Sequence, residues 1–326
     1  MIIKNTFFVI LKILRKLYLA IYKESNFSGR NFKMFPMKDY ANQMIYEKLM
    51  STDPCMISRF GQTEISCLVN YLGVSNKNSD KSIVGYIKGK TLPWWWNKSI
   101  IDQMSVWSGF FPKNIKSIEK FCQSMIQDLE LIDILGSHML EERFFVKNLI
   151  NAKRVILEDL EPMFALKPWT WALKGKNVLI IHPFVETIEL QYQKRELLFK
   201  NNLLPEFNLI TMKAVQSVAE SPTEFRDWFE ALESMKLKIK EIEFDICIIG
   251  CGAYGMPLAA FVKKLGKKSI HIGGATQLLF GIKGRRWVDN PMLYYPYINL
   301  FNEHWIYPLQ TNKPKDASKV EDACYW

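Results

Sequence analysis

Apolar and polar positions along the second half of this chain switch between two periods, and the switch predicts its elements. Residues 177–181, 207–211, 246–249 and 269–272 are short apolar runs bounded by turn residues, as in strands buried on both faces. Between them the apolar residues recur at helical spacing. One helix is predicted over 185–200 and another over 256–265, with Gly266 as its C-cap. A third carries Phe225, Trp228, Leu232, Met235, Ile239 and Ile242 on one face. Ser221-Pro222-Thr223-Glu224 has capping-box spacing with proline at the first helical position, and predicts the start of that third helix. The first half alternates less regularly. Helices are predicted at about 38–50, from Glu64 through ISCLVNYLG, and at about 98–108 and 115–132, with strand-like runs at 55–58, 132–136 and 154–158. Strands alternating with long helices imply an α/β, Rossmann-like fold, a mostly parallel sheet with helices on both faces.

Residues 3–22, IKNTFFVILKILRKLYLAIY, follow a different pattern. Lys4, Lys12, Arg15, Lys16 and Lys23 fall within about 120° of one another on a helical wheel, with Phe7, Ile10, Leu14 and Leu17 opposite. Charges inside the apolar run argue against a central membrane span. The division predicts a basic amphipathic helix lying in an anionic membrane interface; the alternative is a helix packed on the body of the protein. The expected organisation is this helix over 1–24, a linker over 25–37 containing Gly29 and Pro36, one α/β domain over 38–310, and a polar tail over 311–326. Pro93-Trp94-Trp95-Trp96 reads as core packing or as a wall.

Charge adds to this picture. The net charge of +10, from 43 basic and 33 acidic side chains, suits phosphates or an anionic membrane surface. It is no motif for nucleic acid, and no nucleic-acid partner is expected. The six cysteines form no C-x-x-C pair, and Cys55 and Cys247 sit in apolar runs, so reduced thiols in the cytoplasm are expected.

In open parallel sheets, ligands bind beyond the carboxyl ends of the strands. The polar residues that stand out gather at those predicted ends. Arg59, Gln62 and Glu64 follow one strand, His182 another and Lys213 a third. Gly250, Gly252, Tyr254 and Gly255 follow a fourth, and Gly273, Gly274, Thr276 and Gln277 the last. Glycines 250, 252 and 255 have the G-x-G-x-x-G spacing that brings backbone N–H groups and a helix N-terminus up to a phosphate. A dinucleotide site also uses an acid about 20 positions on. Here a second glycine turn stands in its place, followed by basic Lys283, Arg285 and Arg286. The expectation is a cationic crevice with few carboxylates, suited to a diphosphate.

Arg59-Phe60-Gly61-Gln62-Thr63-Glu64 resembles the Arg-Phe-Gly-Asp-Gly-Glu signature of bacterial glycosyltransferases with the GT-D fold. The block from Lys213-Ala214-Val215-Gln216 through GCGAYGMPLA to GGATQLLFGIKGRRW resembles members of that group found among polysaccharide-biosynthesis proteins. The resemblance covers roughly residues 38–305. It implies a Rossmann-like domain using a nucleotide-sugar donor, commonly a UDP-sugar, with a divalent cation at the motif's Asp-x-Glu pair. Glu64 matches the Glu, whereas Gln62 stands for the Asp and Thr63 for the Gly. Glu64 alone then remains to hold Mn²⁺ or Mg²⁺. Alternatively, Lys213, Lys283 and Arg285 neutralise the leaving UDP. Glu186 and His182 are candidates for a general base. The expected activity is transfer of a sugar to a glycan or lipid-linked acceptor at the inner face of the cell membrane. The alternatives are an NAD(P)-dependent oxidoreductase and a non-catalytic nucleotide-sugar-binding partner.

Overall fold

The computed structural model describes residues 2–22, 34–35, 38–76, 81–289 and 295–326. Eight strands form one sheet: β1 (Met34–Phe35), β2 (Cys55–Arg59), β3 (Ile134–Ser137), β4 (Lys153–Ile156), β5 (Asn177–His182), β6 (Asn208–Lys213), β7 (Ile246–Ile249) and β8 (Lys268–His271). Their order is β1-β4-β3-β2-β8-β7-β5-β6, and every pairing is parallel. The helices named below are α1 (Ile2–Ile21), α2 (Lys38–Met50), α3 (Gln62–Ser75), α4 (Ile83–Ile87), α5 (Lys98–Val106), α6 (Ile115–Asp128), α7 (Val185–Tyr192), α8 (Arg195–Leu198), α9 (Trp228–Lys240), α10 (Gly255–Lys264), α11 (Ala275–Leu279) and α12 (Arg285–Val288).

Side chains alternate across each strand, and the sheet is covered on both faces. Met56, Leu179, Ile181, Cys247 and Ile249 pack into one core with α3, α6, α9 and α10. Cys55, Ile57, Val178, Ile180, Ile248 and Ile270 pack into the other with α2, α11 and Trp169. Because both faces are buried, the strands read in sequence as unbroken apolar runs. The fold is therefore α/β and Rossmann-like, as the periodicity predicts. From β2 the chain moves outward through β3 and β4; it then crosses to β5 and returns through β7 to β8, which pairs with β2. The connections of β2 and β8 thus diverge, and the crevice at their carboxyl ends is the ligand position of such sheets.

Several expected boundaries move, for identifiable reasons. The third helix begins at Trp228 rather than at the Ser221 box. Asp227 caps it by accepting the Glu230 amide at 2.9 Å, and the Arg226 amide donates back to Glu230 at 2.6 Å. Asp227 thus supplies the N-cap six residues beyond Ser221. The single helix expected over 185–200 is divided into α7 and α8. Most of the expected linker lies outside the described residues; within it Met34 and Phe35 form the edge strand β1. The segment read as a polar tail instead packs on the body, with Ala317, Val320, Ala323 and Trp326 buried against Phe184 and Ala219.

At the other end α1 is docked, and two of its charges, Lys12 and Arg15, point toward the body rather than outward. Lys12 Nζ donates to Asn97 Oδ1 at 2.6 Å, and Arg15 donates to the carbonyls of Tyr86 at 2.7 Å and Thr91 at 3.2 Å. Two of the five cations expected to meet lipid therefore face protein carbonyl and amide oxygens. The side chain of Lys4 and the whole of Lys23 lie outside the described parts. Among the described residues no helix is long and apolar enough to cross a membrane.

Candidate functional site

A cavity of about 460 Å³ opens at the carboxyl ends of β2, β3, β5, β6, β7 and β8. Arg59 is the last residue of β2 and lines it. Its partly buried guanidinium makes no hydrogen bond or ion pair to a described residue. Burial lowers its pKa, and Tyr325, Glu64 and Glu161 act in the opposite direction. The chain then turns into α3, whose first residues Gln62, Thr63 and Glu64 also line the cavity. A Cβ on Gly61 would lie 1.8 Å from Glu64 Oε2, so the glycine of this motif leaves room for the folded-back Glu64 carboxylate. A carboxylate in the first turn is stabilised by the amide groups there.

Three histidines border the same space: His138, His182 and His271. His138 follows β3. Its amide and that of Met139 donate to Glu142 Oε1 at 3.0 and 3.1 Å, and Ser137 Oγ hydrogen-bonds the other oxygen of this fully buried carboxylate. His182 Nδ1 accepts the Phe184 amide at 3.0 Å, so its proton sits on Nε2 and the ring is a donor, not a base, toward a ligand. His271 Nδ1 lies 3.0 Å from Ser58 Oγ, a contact set by the β2–β8 register.

Burial pushes His182 down to about 3, and burial with the nearby Arg59 charge pushes His271 to about 3 and His138 to about 4. All three are neutral at pH 7. Histidines of the unfolded chain take up protons near about pH 6.5. The stability these groups support is therefore present above that value and lost as pH falls toward 3–4. Glu161 acts in the opposite sense. Burial raises its carboxyl to about 7 even though Tyr297 donates to it at 2.5 Å. Its contribution is present below the ordinary carboxyl range and lost as pH rises through about 7. Three histidines outweigh one carboxyl, so the melting temperature should fall between about pH 6.5 and pH 4.5. Glu161→Gln should steepen that fall. Scanning calorimetry across the range checks both, and a flat profile in the parent protein would contradict the assignment.

The glycine turn after β7 lines the cavity with Gly250, Gly252 and Tyr254 and leads into α10. Tyr254 stacks on Trp228, ring centroids 5.1 Å apart, and its hydroxyl lies 3.2 Å from Ser217 Oγ. A Cβ on Gly250 would meet the Gly273 carbonyl at 2.5 Å and Thr276 Oγ1 at 2.6 Å, so the two glycine turns close directly upon each other. Gly252 adopts φ 57° and is exposed. Gly255 lies behind the lining, where a Cβ would be 2.2 Å from His271 Nε2. The glycines at 250 and 255 thus answer to packing between elements. Of the second turn, Gly273, Gly274 and Gln277 reach the cavity, while Thr276 lies behind it with Oγ1 directed at the Ile249 carbonyl. Gln277 Nε2 donates to the Lys283 and Tyr325 carbonyls at 3.1 and 3.3 Å.

Other expected site residues lie elsewhere. Lys213 and Glu186 form an ion pair at 2.5 Å outside the cavity lining. Burial pushes the Glu186 carboxyl up, but the bonds from Lys213, its own amide and Asn312 outweigh this and leave it below its ordinary value, a poor base. Gln216 lines the cavity and donates to the Asn312 carbonyl at 3.3 Å. Lys283 Nζ lies 5.8 Å over the Phe301 ring, and Arg285 pairs with Asp289 at 2.8 Å; neither lines the cavity. The neighbouring Arg286 does, held by Glu321 and lying 4.7 Å from the Tyr325 ring centroid.

Val320, Glu321, Tyr325 and Trp326 complete the wall. Trp326 Nε1 donates to the Asn312 carbonyl at 3.1 Å, and its ring meets Phe184 edge-on. Glu321, Asp322 and Ala323 hold φ of 43°, 54° and 61°, a left-handed run that costs about 1–2 kcal/mol per residue. Such strain persists where surrounding contacts over-determine it. Here Arg286 binds Glu321 and the Cys324 carbonyl, and Arg285 binds the Asp322 carbonyl at 3.0 Å. Sequence reasoning missed His138, although it follows a strand just as His182 does. It also missed this wall, whose only linear signal is the aromatic Tyr325-Trp326 pair in a polar segment. No family model matches the chain, no curated protein matches it, and no solved structure matches it.

Proposed function

We propose that this protein is a glycosyltransferase that moves a sugar from a nucleoside-diphosphate sugar, a UDP-sugar foremost, to a hydroxyl of a glycan or lipid-linked acceptor. Its place is the inner face of the cell membrane, in surface-polysaccharide synthesis. The observation that carries this reading is Arg59, a cation without a partner among the described residues, in a cavity onto which the first turn of α3 opens. A guanidinium and helix N-termini are the donors that bind phosphate. The volume falls within the range of small-ligand sites, and the partly exposed Trp107 and Tyr325 bring aromatic rings to the lining for a base or sugar.

In the transfer, the bond between the anomeric carbon and the phosphate oxygen breaks, and a bond from that carbon to the acceptor oxygen forms. The acceptor proton leaves. Charge gathers on the departing diphosphate, where Arg59, the first amides of α3 and His182 Nε2–H are fixed donors. Glu64, the cavity carboxylate outside an ion pair, receives the acceptor proton; Glu321 is engaged by Arg286. Among the described residues no three His, Cys, Asp or Glu side chains gather as a metal site. One carboxylate with diphosphate oxygens and water is enough to hold Mn²⁺ or Mg²⁺, so Glu64 would be the residue to hold such an ion, which would add its charge to that of Arg59. A nicotinamide dinucleotide would find no carboxylate after β8, where Ile272, Gly273 and Gly274 follow.

A thermal-shift panel of UDP-, GDP-, CMP- and dTDP-sugars, NAD(H) and NADP(H), with and without Mn²⁺, tests the reading. A sugar nucleotide at a hundred times its Kd should stabilise the fold by about 2.7 kcal/mol. A shift with a nicotinamide nucleotide and none with any sugar nucleotide would overturn it. Release of free UDP in the presence of acceptor separates an enzyme from a non-catalytic binding partner.

A further inference from the structure

The ordinary surface helix turns its apolar stripe inward and its charges to water. In α1 the arrangement is reversed. Phe8 stacks on Trp95 with centroids 4.2 Å apart, Leu11 is 3% exposed, and Lys12 and Arg15 bind oxygens of the body. These four residues recur at helical spacing and define the docked face. On the opposite side Val9, Ile10, Ile13, Leu14, Leu17 and Ile21 are between 42% and 72% exposed. The reversal follows from the docking partner. The end of α4, the loop after it and the Pro93–Asn97 stretch present carbonyls, an amide oxygen and aromatic rings, which suit cations better than methyl groups.

α4 packs against α1 and exposes two further apolar side chains, Ile83 and Val84. Cations border this face. Lys16 is exposed, as are Lys88 and Lys90 on either side of Gly89. A Cβ at Gly89 would lie 3.4 Å from Leu19 of α1, so these two lysines stand beside the helix. Neither α1 nor residues 81–101 contain an aspartate or glutamate. Tyr18 and Tyr22, stacked 4.7 Å apart, lie toward the end of the helix, a residue type enriched at membrane interfaces.

We propose that the outward face of α1, with Ile83 and Val84 of α4 and the lysines beside them, seats the protein on an anionic lipid bilayer. The helix lies in the plane of the interface, with its apolar side chains below the headgroups. The 20-residue helix is about 30 Å long, and its bordering lysines meet acidic headgroups. A second copy is the poorer occupant, because pairing two such faces would bring both sets of lysines together without an acid between them. The inference is independent of what the cavity binds. It differs from an interface made by the Lys12–Arg15 arc, since those two side chains face the protein.

The test is co-sedimentation of the full chain with vesicles of phosphatidylcholine alone and of phosphatidylcholine with phosphatidylserine. The parent should pellet with the mixed vesicles and less so at high salt, because the lysine attraction is screened. Ile10→Glu/Leu17→Glu, at exposed positions that leave the melting temperature unchanged, should reduce partitioning at least ten-fold. Lys88→Ala/Lys90→Ala should weaken it by about five-fold per lysine removed. Parent protein that stays in the supernatant, or Ile10→Glu/Leu17→Glu protein that pellets like the parent, would overturn the proposal. So would sedimentation velocity showing a vesicle-free dimer that the same double substitution dissociates, since the face would then be an interface between copies.

Discussion

Arg59→Met should weaken binding of a nucleoside-diphosphate sugar by about 10- to 100-fold while leaving the ligand-free protein at least as stable as the parent. The first effect follows from the loss of charge-assisted hydrogen bonds, worth about 1.5–3 kcal/mol to a charged ligand. The second follows from the surroundings of the guanidinium, which has no protein partner among the described residues and is held partly out of water. A desolvated, unpaired charge opposes folding, and methionine fills a similar volume without it. Arg59→Lys should fall between the two, because an ammonium keeps the charge but loses the planar fork that matches phosphate oxygens. Titration calorimetry and thermal denaturation of the three proteins separate the possibilities. Unchanged affinity in Arg59→Met would remove this residue from the binding site. A fall in melting temperature comparable to the loss of affinity would make its role structural.

Gly255→Ala should destabilise the fold by about 1–3 kcal/mol or more, as overpacking of a close contact does. The new Cβ would lie 2.2 Å from His271 Nε2 and 2.4 Å from His271 Cδ2. The ring has little room to yield, because it is buried and its Nδ1 lies 3.0 Å from Ser58 Oγ. His271→Ala should destabilise the protein by itself through the space it leaves. In the double variant the added methyl group enters that space, so the two effects should add to less than their sum. A coupling of about 0.5–3 kcal/mol is the expected range for residues in direct contact. Urea denaturation of the four proteins measures it. Gly255→Ala protein as stable as the parent would show that the contact relaxes freely. Folded Gly255→Ala protein should keep its ligand affinity, the opposite of what a phosphate-facing glycine would do.

This last contrast marks a boundary between the linear and the folded reading. The G-x-G-x-x-G spacing correctly places a turn between a strand and a helix beside the cavity, because a tight βα turn requires glycine locally. It does not reveal what each glycine faces. Gly252 is exposed at a positive φ, Gly250 makes room for the second glycine turn, and Gly255 makes room for a histidine sixteen positions on. These are contacts between elements, and spacing carries no information about them.

By itself the sequence determined the alternation of strands and helices, and with it a mostly parallel sheet. Burial on both faces leaves a continuous apolar run that no other element of that length requires. It also placed Arg59, Gln62, Glu64, His182 and the glycine turns beside one cavity, since the carboxyl ends of parallel strands share one edge of the sheet. The tertiary structure alone decided which neighbours face that cavity. Arg286 lines it while Arg285 turns toward Asp289, and Lys213 is drawn outward by Glu186. It also brought in Tyr325 and Trp326, some 265 positions from Arg59, and turned Lys12 and Arg15 toward the body. The physical reason is common to these cases. Periodicity records how much of each face is buried, whereas helix phase and chain return are set by whichever distant partners best satisfy charge and volume.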